Sequence, residues 1–543
     1  MVRISLLTIF LFFSLTVGYS QNVLQTVAEK SNFESTAMHA DVMAYIAQLQ
    51  KSSPNIKVEL IAKTFEGRDI PLIIVANPMP KKPADLLNDK RVVVYIQANI
   101  HAGEVEGKEA SLMYLRDLLK DKNSTVLNDV VLLVCPILNA DGNDKISTQN
   151  RTHQNGPKNG VGVRYNGQYF DLNRDGMKVE SPEIKGVITN VLNRWDPYVI
   201  MDCHTTNGSY HVEPVTFTWI MNPNCDRSLI NYMRDRMMPE VSTTLRDKYQ
   251  VENCFYGEFI DQKDYDKGWI SYAAEPRYLS NYVGVRNRLG ILNENYVYAD
   301  YKSRVVGCYN LIHSVMDYSA SHKAEIKELL NSADAATIAR GLNPAVTDSF
   351  AVAYEGKPTP NKANVKTYEV DVVVDEQGNE HLTKSDRRRD ISVTYIADYY
   401  ATKNVKFPFA YILSIPDPEV ISLLKIHGIK VERLDKVISL EVDKFIIEEL
   451  KAAPKLNQGH YTETAVGHFV KETKEFPAGS YLVRTSQPLG YLVSYLMEPQ
   501  SDDGLLFWNY FDRYLQPQWS RSYNPYPVYK VMGTTEIKST VEI

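Results

Sequence analysis

Between about residues 21 and 320 this chain alternates short, β-branched apolar runs with helical stretches, and that alternation limits the fold more than any other feature. The runs at 71–75, 92–97, 130–137, 198–202 and 290–292 read as strands, and 108–120 and 304–318 read as helices. Parallel strands need a crossover, and a helix supplies one, so the pattern predicts an α/β fold. A mixed, largely parallel central sheet flanked by helices is expected over residues 21–325. From 334 to 364 the pattern weakens around Gly356, Pro358 and Pro360, which places a linker at 326–366. Strands then dominate (368–374, 391–396, 409–414, 481–483), with one helix at 418–427 closed by Gly428. Residues 367–543 are therefore expected to form a separate α+β or mostly-β accessory domain.

The N-terminus constrains location. Arg3 precedes an apolar run from Ile4 to Val17 that ends in Gly18-Tyr19-Ser20. Such a run is too short to span a bilayer as a helix but has the layout of a secretory signal. Residues 1–20 are read as that signal, with a secreted or periplasmic product and no membrane insertion after its removal. No Cys follows the run, which argues against a lipid anchor. Sixty Lys+Arg against 66 Asp+Glu give a net charge of −6, so the chain has no general attraction for phosphate backbones, and nucleic acid is not an expected partner. The five cysteines, none beyond Cys308, leave at least one thiol unpaired and show no C-x-x-C spacing. Cys135 and Cys203 lie in apolar runs and are expected to be buried; a disulfide between two of Cys225, Cys254 and Cys308 stays open.

Three strand ends carry candidate chemistry. His101 and Glu104 follow the run at 92–97, three residues apart on a turn into a helix, and can converge on one cation. His204 closes the apolar run at 198–202, and Glu294 closes the one at 290–292. In open α/β sheets, sites gather at the carboxyl ends of strands. A His closing a strand is often only a cap, and Glu294 could instead pair with a helix near Arg304, but the same sheet edge receives all four. His153 and His211 lie in polar loops and rank lower. Asn173 and Arg174, in Phe170-Asp171-Leu172-Asn173-Arg174-Asp175, offer an amide and a planar guanidinium suited to a carboxylate.

These residues carry a family resemblance. Thr64-Phe65-Glu66-Gly67-Arg68, His101-Ala102-Gly103-Glu104, Asn139-Ala140-Asp141-Gly142, Asp171-Leu172-Asn173-Arg174, Asp202-Cys203-His204 and Leu292-Asn293-Glu294 resemble, in order, the zinc metallocarboxypeptidases of the carboxypeptidase A superfamily. The resemblance covers about residues 40–320, and the C-terminal part is similar to the extra domain of large bacterial secreted members. It implies one Zn2+ per chain, held by His101, Glu104 and His204, with Asp171 orienting the first His and Glu294 as catalytic acid–base. It implies Asn173 and Arg174 as the pair that binds a substrate's C-terminal carboxylate, and Arg164 as the oxyanion arginine, with Arg151 as the alternative. The substrate-closing tyrosine is placed at Tyr282, ahead of Tyr278 and Tyr272. The activity implied is release of the C-terminal amino acid from peptides or proteins.

Two other readings compete: a zinc amidase acting on cell-wall peptides or another amide bearing a carboxylate, and a non-catalytic peptide or glycan binder. Asp175 is expected to add negative charge near the anchor, and acidic residues between 258 and 275 are candidates for a basic side-chain preference. Asp502 and Asp503 lack the spacing of a calcium loop. No inhibitory prosegment is expected, because few residues separate the signal from the first helix.

Overall fold

A computed structural model describes residues 24–206, 208–517, 519 and 522–542; the signal expected at 1–20 lies outside them. The strands of the first half are β1 (Ile56–Lys63), β2 (Asp69–Val75), β3 (Val92–Ala98), β4 (Val130–Cys135), β5 (Val199–Thr206), β6 (Val215–Trp219), β7 (Asn253–Phe255), β8 (Glu258–Phe259), β9 (Trp269–Ile270) and β10 (Leu289–Tyr296). Eight of them form one sheet in the order β1-β2-β4-β3-β5-β10-β6-β7. Its centre, β4, β3, β5 and β10, is parallel, while β2 and β6 run antiparallel to their central neighbours.

Every residue of β3 and β4 is buried, as unbroken Val/Leu/Ile runs should be when helices cover both sheet faces. The helices Glu106–Lys120 and Tyr301–Ser321 pack together and over β3. Close approach depends on Gly107: a Cβ there would stand 2.4 Å from the Cys203 Cβ. Helix Leu279–Val285 packs against β5 and β10.

The second half is bound to the first more intimately than a tethered domain. Residues 326–366, expected as a linker, instead hold most of the helix Lys323–Leu342, then β11 (Ser349–Pro358). The helix buries Ile326, Leu330, Ala333, Thr337 and Gly341, a stripe too poor in large apolar residues to stand out in the sequence. Gly341 lets it approach the backbone at Thr485, 2.3 Å from where a Cβ would lie. With β12 (Ala363–Val374) and β13 (Glu380–Val393) forming a hairpin, β11 pairs with β14 (Tyr395–Lys406), and β14 pairs with β9 of the first half. Both halves thus share a four-stranded sheet, and one apolar core runs from Ala28 to Val528.

A seven-stranded sheet completes the C-terminal part, with helices Pro418–Ile426 and Gly490–Met497. Its two long strands, Ile438–Ala452 and Glu463–Phe476, form a hairpin whose connection reaches the first half. All five cysteines are buried and unpaired; the Cys203 and Cys308 sulfurs are 4.0 Å apart. No helix among the described residues is long and apolar enough to cross a membrane.

Candidate metal centre and binding cavity

Local turn chemistry brings His101 and Glu104 together. Asn99, just past β3, takes φ of 64°, a left-handed conformation that Asn tolerates. Its side-chain amide donates to the carbonyls of Ala102 (3.1 Å) and Glu104 (3.3 Å), folding the segment back on itself. The parallel register places Cys203 opposite Ala98 and His204 opposite Glu294. Three adjacent strand ends therefore deliver His101, His204 and Glu294 to one edge.

His101, Glu104 and His204 are buried, and Glu294 beside them is partly exposed. His101 Nδ1 lies 3.1 Å from Glu104 Oε1, His204 Nδ1 lies 3.1 Å from Glu104 Oε2, and the two Nδ1 atoms are 3.2 Å apart. Each imidazole is anchored through its far nitrogen: His101 Nε2 to Asp171 Oδ1 and His204 Nε2 to Asp202 Oδ2, both at 2.9 Å. An Nε2 that donates to a carboxylate leaves its Nδ1 a lone-pair acceptor. Two such nitrogens and a carboxylate converging out of water demand a cation, either a proton or a metal ion. The donor set, two imidazoles and one carboxylate with a cavity beside them, fits zinc with an open coordination position.

The electrostatics agree. Burial raises the Glu104 carboxyl, but His101 and Arg151 outweigh it and hold the group well below its usual range. Burial disfavours charge on His204, yet Asp202 and Glu104 outweigh it and lift its pKa well above normal, the mark of a site that favours a cation. Burial pushes Glu294 up to about 8, with His204 opposing and Glu104 adding to the rise. A bound cation would lower it again.

The cluster opens on a cavity of about 320 Å3 lined by Glu294, Arg164, Asn173 and Arg174 and by Tyr256, Tyr272 and Tyr278. Arg164 donates from Nε (2.9 Å) and Nη2 (2.8 Å) to Asp171 Oδ2, and its Nη1 is 3.7 Å from Glu104. Arg151 also reaches Glu104, at 2.9 Å, but ties it to the Thr205 carbonyl rather than lining this cavity. Asn173 accepts from the Leu279 N–H (3.0 Å), and the Arg174 guanidinium lies 4.4 Å from the Tyr278 ring centre. Of the acids between 258 and 275, Glu258 lines the cavity.

Two expectations are corrected. Tyr282 is fully buried; its hydroxyl lies 2.7 Å from His427 Nδ1 and accepts from Arg286 at 3.2 Å. It follows Tyr278 by one helical turn, and that turn carries it from the cavity rim into the core. Asp175 adds no free charge to the anchor: it is buried and accepts from Lys178 Nζ (2.8 Å), the Glu180 and Ser181 N–H groups and the Ser181 hydroxyl. Arg304 pairs with Glu106, not with Glu294.

Asp202 anchors His204 because residues two apart on one strand share a face, a relation the apolar pattern of the run does not mark. The structure also sets His211 in a second buried group with Glu213 and Cys254, with His211 Nδ1 3.5 Å from Glu213. His153 is exposed in a loop.

Residues 42–187 match the zinc carboxypeptidase family, Peptidase_M14. Over these residues the chain carries a zinc carboxypeptidase domain. It is accordingly a metallocarboxypeptidase, a hydrolase. The match contains His101, Glu104 and Asp171, while His204 and Glu294 lie beyond it. Carboxypeptidase 2 of Trichophyton equinum is 20% identical over 461 residues, covering 81% of this chain and 78% of its own. Carboxypeptidase 2 of Trichophyton rubrum is 20% identical over 471 residues, with the same coverages. Among solved structures, a metallo-carboxypeptidase from Burkholderia cenocepacia aligns with a TM-score of 0.38 at 14% identity, over 52% of this chain and 69% of that one. Carboxypeptidase A from Helicoverpa armigera aligns with a TM-score of 0.37 at 17% identity, over 53% and 75%.

Proposed function

We propose that this chain is an exported zinc exopeptidase that holds one zinc ion at His101, Glu104 and His204 and releases the C-terminal residue of peptides or proteins. The observation that carries this reading is the meeting of the Nδ1 atoms of two aspartate-anchored imidazoles with Glu104 beside Glu294, in a cavity that also presents Asn173 and Arg174. Zinc bound there would supply Lewis-acid polarisation of water and of the scissile carbonyl.

The chain's own groups do the rest. Asp171 and Asp202 fix the tautomer and direction of the two imidazoles. Glu294 accepts a proton from the attacking water as the new C–O bond forms, then returns it to the departing nitrogen as the C–N bond breaks. Arg164 stabilises the oxyanion through the N–H groups it does not give to Asp171. Asn173 and Arg174 bind the substrate's free carboxylate, which an internal peptide bond does not present, and Tyr278 takes the place expected of Tyr282 at the rim. Export rests on the apolar run from Ile4 to Val17 after Arg3.

The test pairs wild type with Glu294→Gln on a mixed peptide library. One zinc per chain in both proteins is expected, with kcat for terminal-residue release reduced about 10²–10⁴-fold in the variant. Failure of wild type to take up stoichiometric zinc would overturn the site assignment.

A further inference from the structure

The carboxylate-binding side of the cavity is built from loops. Asn173 and Arg174 lie in a single 3-10 turn (Leu172–Arg174) within the connection from 166 to 181, and Tyr272 and Tyr278 in an irregular stretch from 271 to 278. Neither loop belongs to the central sheet, and both are held by residues from the far end of the sequence.

On the first loop, the Asp171 N–H donates to Gln458 Oε1 at 2.8 Å, from the turn of the long C-terminal hairpin. The Tyr510 hydroxyl donates to the Lys178 carbonyl at 3.0 Å, and His460 Nε2 lies 2.8 Å from Glu180. Between those contacts Val179 takes φ of 52°, a conformation a β-branched residue adopts only when its surroundings impose it.

On the second loop, Asp503 is the anchor. It is fully buried and accepts from the Arg277 N–H at 2.9 Å; Arg277 Nε lies 3.0 Å from its Oδ1, and the Trp508 indole N–H donates to it at 3.2 Å. Arg277 Nη2 also donates to the Asp502 carbonyl at 2.9 Å, while Asp502 itself accepts from the Tyr354 hydroxyl. Trp508 is itself buried in this support.

The loops are tied to each other as well. Gly176 N–H donates to the Arg277 carbonyl (3.3 Å), Leu279 N–H donates to Asn173, and Tyr278 stacks on Arg174. A continuous path runs from Asp503 through Arg277 and Tyr278 to Arg174. The metal donors, by contrast, stand on or beside β3 and β5.

We infer that Asp503 and Gln458 are positioning residues for substrate: through Arg277 and through the Asp171 backbone they set the Asn173–Arg174–Tyr278 wall that receives the terminal carboxylate. The C-terminal half is then part of the binding site, not an appendage. This rests on the carboxypeptidase reading, and the two fail differently in the test. A wild-type protein that binds no zinc or releases no terminal residue counts against that reading; an active wild type with unmoved variants counts against this one.

The experiment uses the full-length, zinc-loaded protein with Asp503→Asn and, separately, Gln458→Ala, which removes one part-buried hydrogen bond at a hairpin turn and spares the fold if Asp503→Asn does not. Steady-state kinetics on one peptide are read with zinc content and with inhibition by two small probes: the free amino acid product, and 2-mercaptoethanol, a thiol with no carboxylate. Misplacing a substrate anchor by ångströms costs on the order of ten- to a hundredfold, so KM and the product's inhibition constant should rise by about tenfold or more in Asp503→Asn, and by less in Gln458→Ala. Zinc content, kcat within about threefold, and inhibition by the thiol should all be retained. An unchanged KM in both variants overturns the inference. So does a fall in kcat with KM unmoved, or a loss of zinc in step with activity.

Discussion

The two walls of the cavity are made differently. The metal wall stands at the ends of β3 and β5, two strands buried on both faces, and each of its histidines is pinned by an aspartate. The carboxylate wall stands on two loops whose positions depend on residues some 230–290 positions away in sequence, such as Gln458 to Asp171 and Asp503 to Arg277. The first arrangement is held by strand β5, which carries His204 and Asp202, and by the tight turn that leaves β3. The second is rigid only as long as another part of the chain holds it. Chemistry and substrate placement should therefore be separable by mutation.

The largest effect should come from the metal wall. His204→Ala removes a donor at the centre of the cluster, and the expected outcome is loss of stoichiometric zinc and of all measurable release, read by metal analysis and product assay. If such a variant kept its zinc and turned over, the contrast between the walls would collapse.

Next in size is the carboxylate wall itself. Arg174→Ala leaves the metal donors untouched, so zinc content should hold while kcat/KM falls by about 10²–10³-fold for a free-acid peptide, the loss of a charge-assisted contact. Asp202→Asn sharpens the comparison from the other side. It keeps His204 but loosens its anchoring, and zinc affinity should drop about 10–100-fold in competition with a chelator, with activity recovered in excess zinc.

The smallest effect concerns stability. Glu183 is fully buried beside the carboxylate wall, accepts from Asn166 at 3.1 Å, and burial raises its pKa to about 7. Between the ordinary carboxyl range and pH 7 the folded chain keeps a proton that the unfolded chain releases, so this group lowers stability as pH rises through that window. Glu183→Gln should raise the Tm by about 1–3 °C at pH 8 and leave it unmoved at pH 4.

How far each wall could be read from sequence follows from the same difference. His101, Glu104, His204 and Glu294 announce themselves because each closes a visible apolar strand, and strand register does the rest. Asp171 and Arg164 came only through family resemblance, and Asp202 was hidden although the two-residue period of a strand places it beside His204. Tyr282 and Tyr278 are indistinguishable in sequence because nothing local says which turn of a short helix faces a cavity; packing against His427 decides it. The helix Lys323–Leu342 was read as linker because its buried stripe is made of Ala, Thr and Gly as much as Ile and Leu. Gln458 and Asp503 could not be found at all, since their partners lie in other loops and no periodicity records such contacts.

The most direct measurement compares two forms of one peptide, with a free C-terminal carboxylate and with a C-terminal amide, on the zinc-loaded enzyme. The account predicts one zinc per chain and release of the terminal residue from the free acid alone. Equal cleavage of both forms, or no release from either with zinc bound, would contradict it.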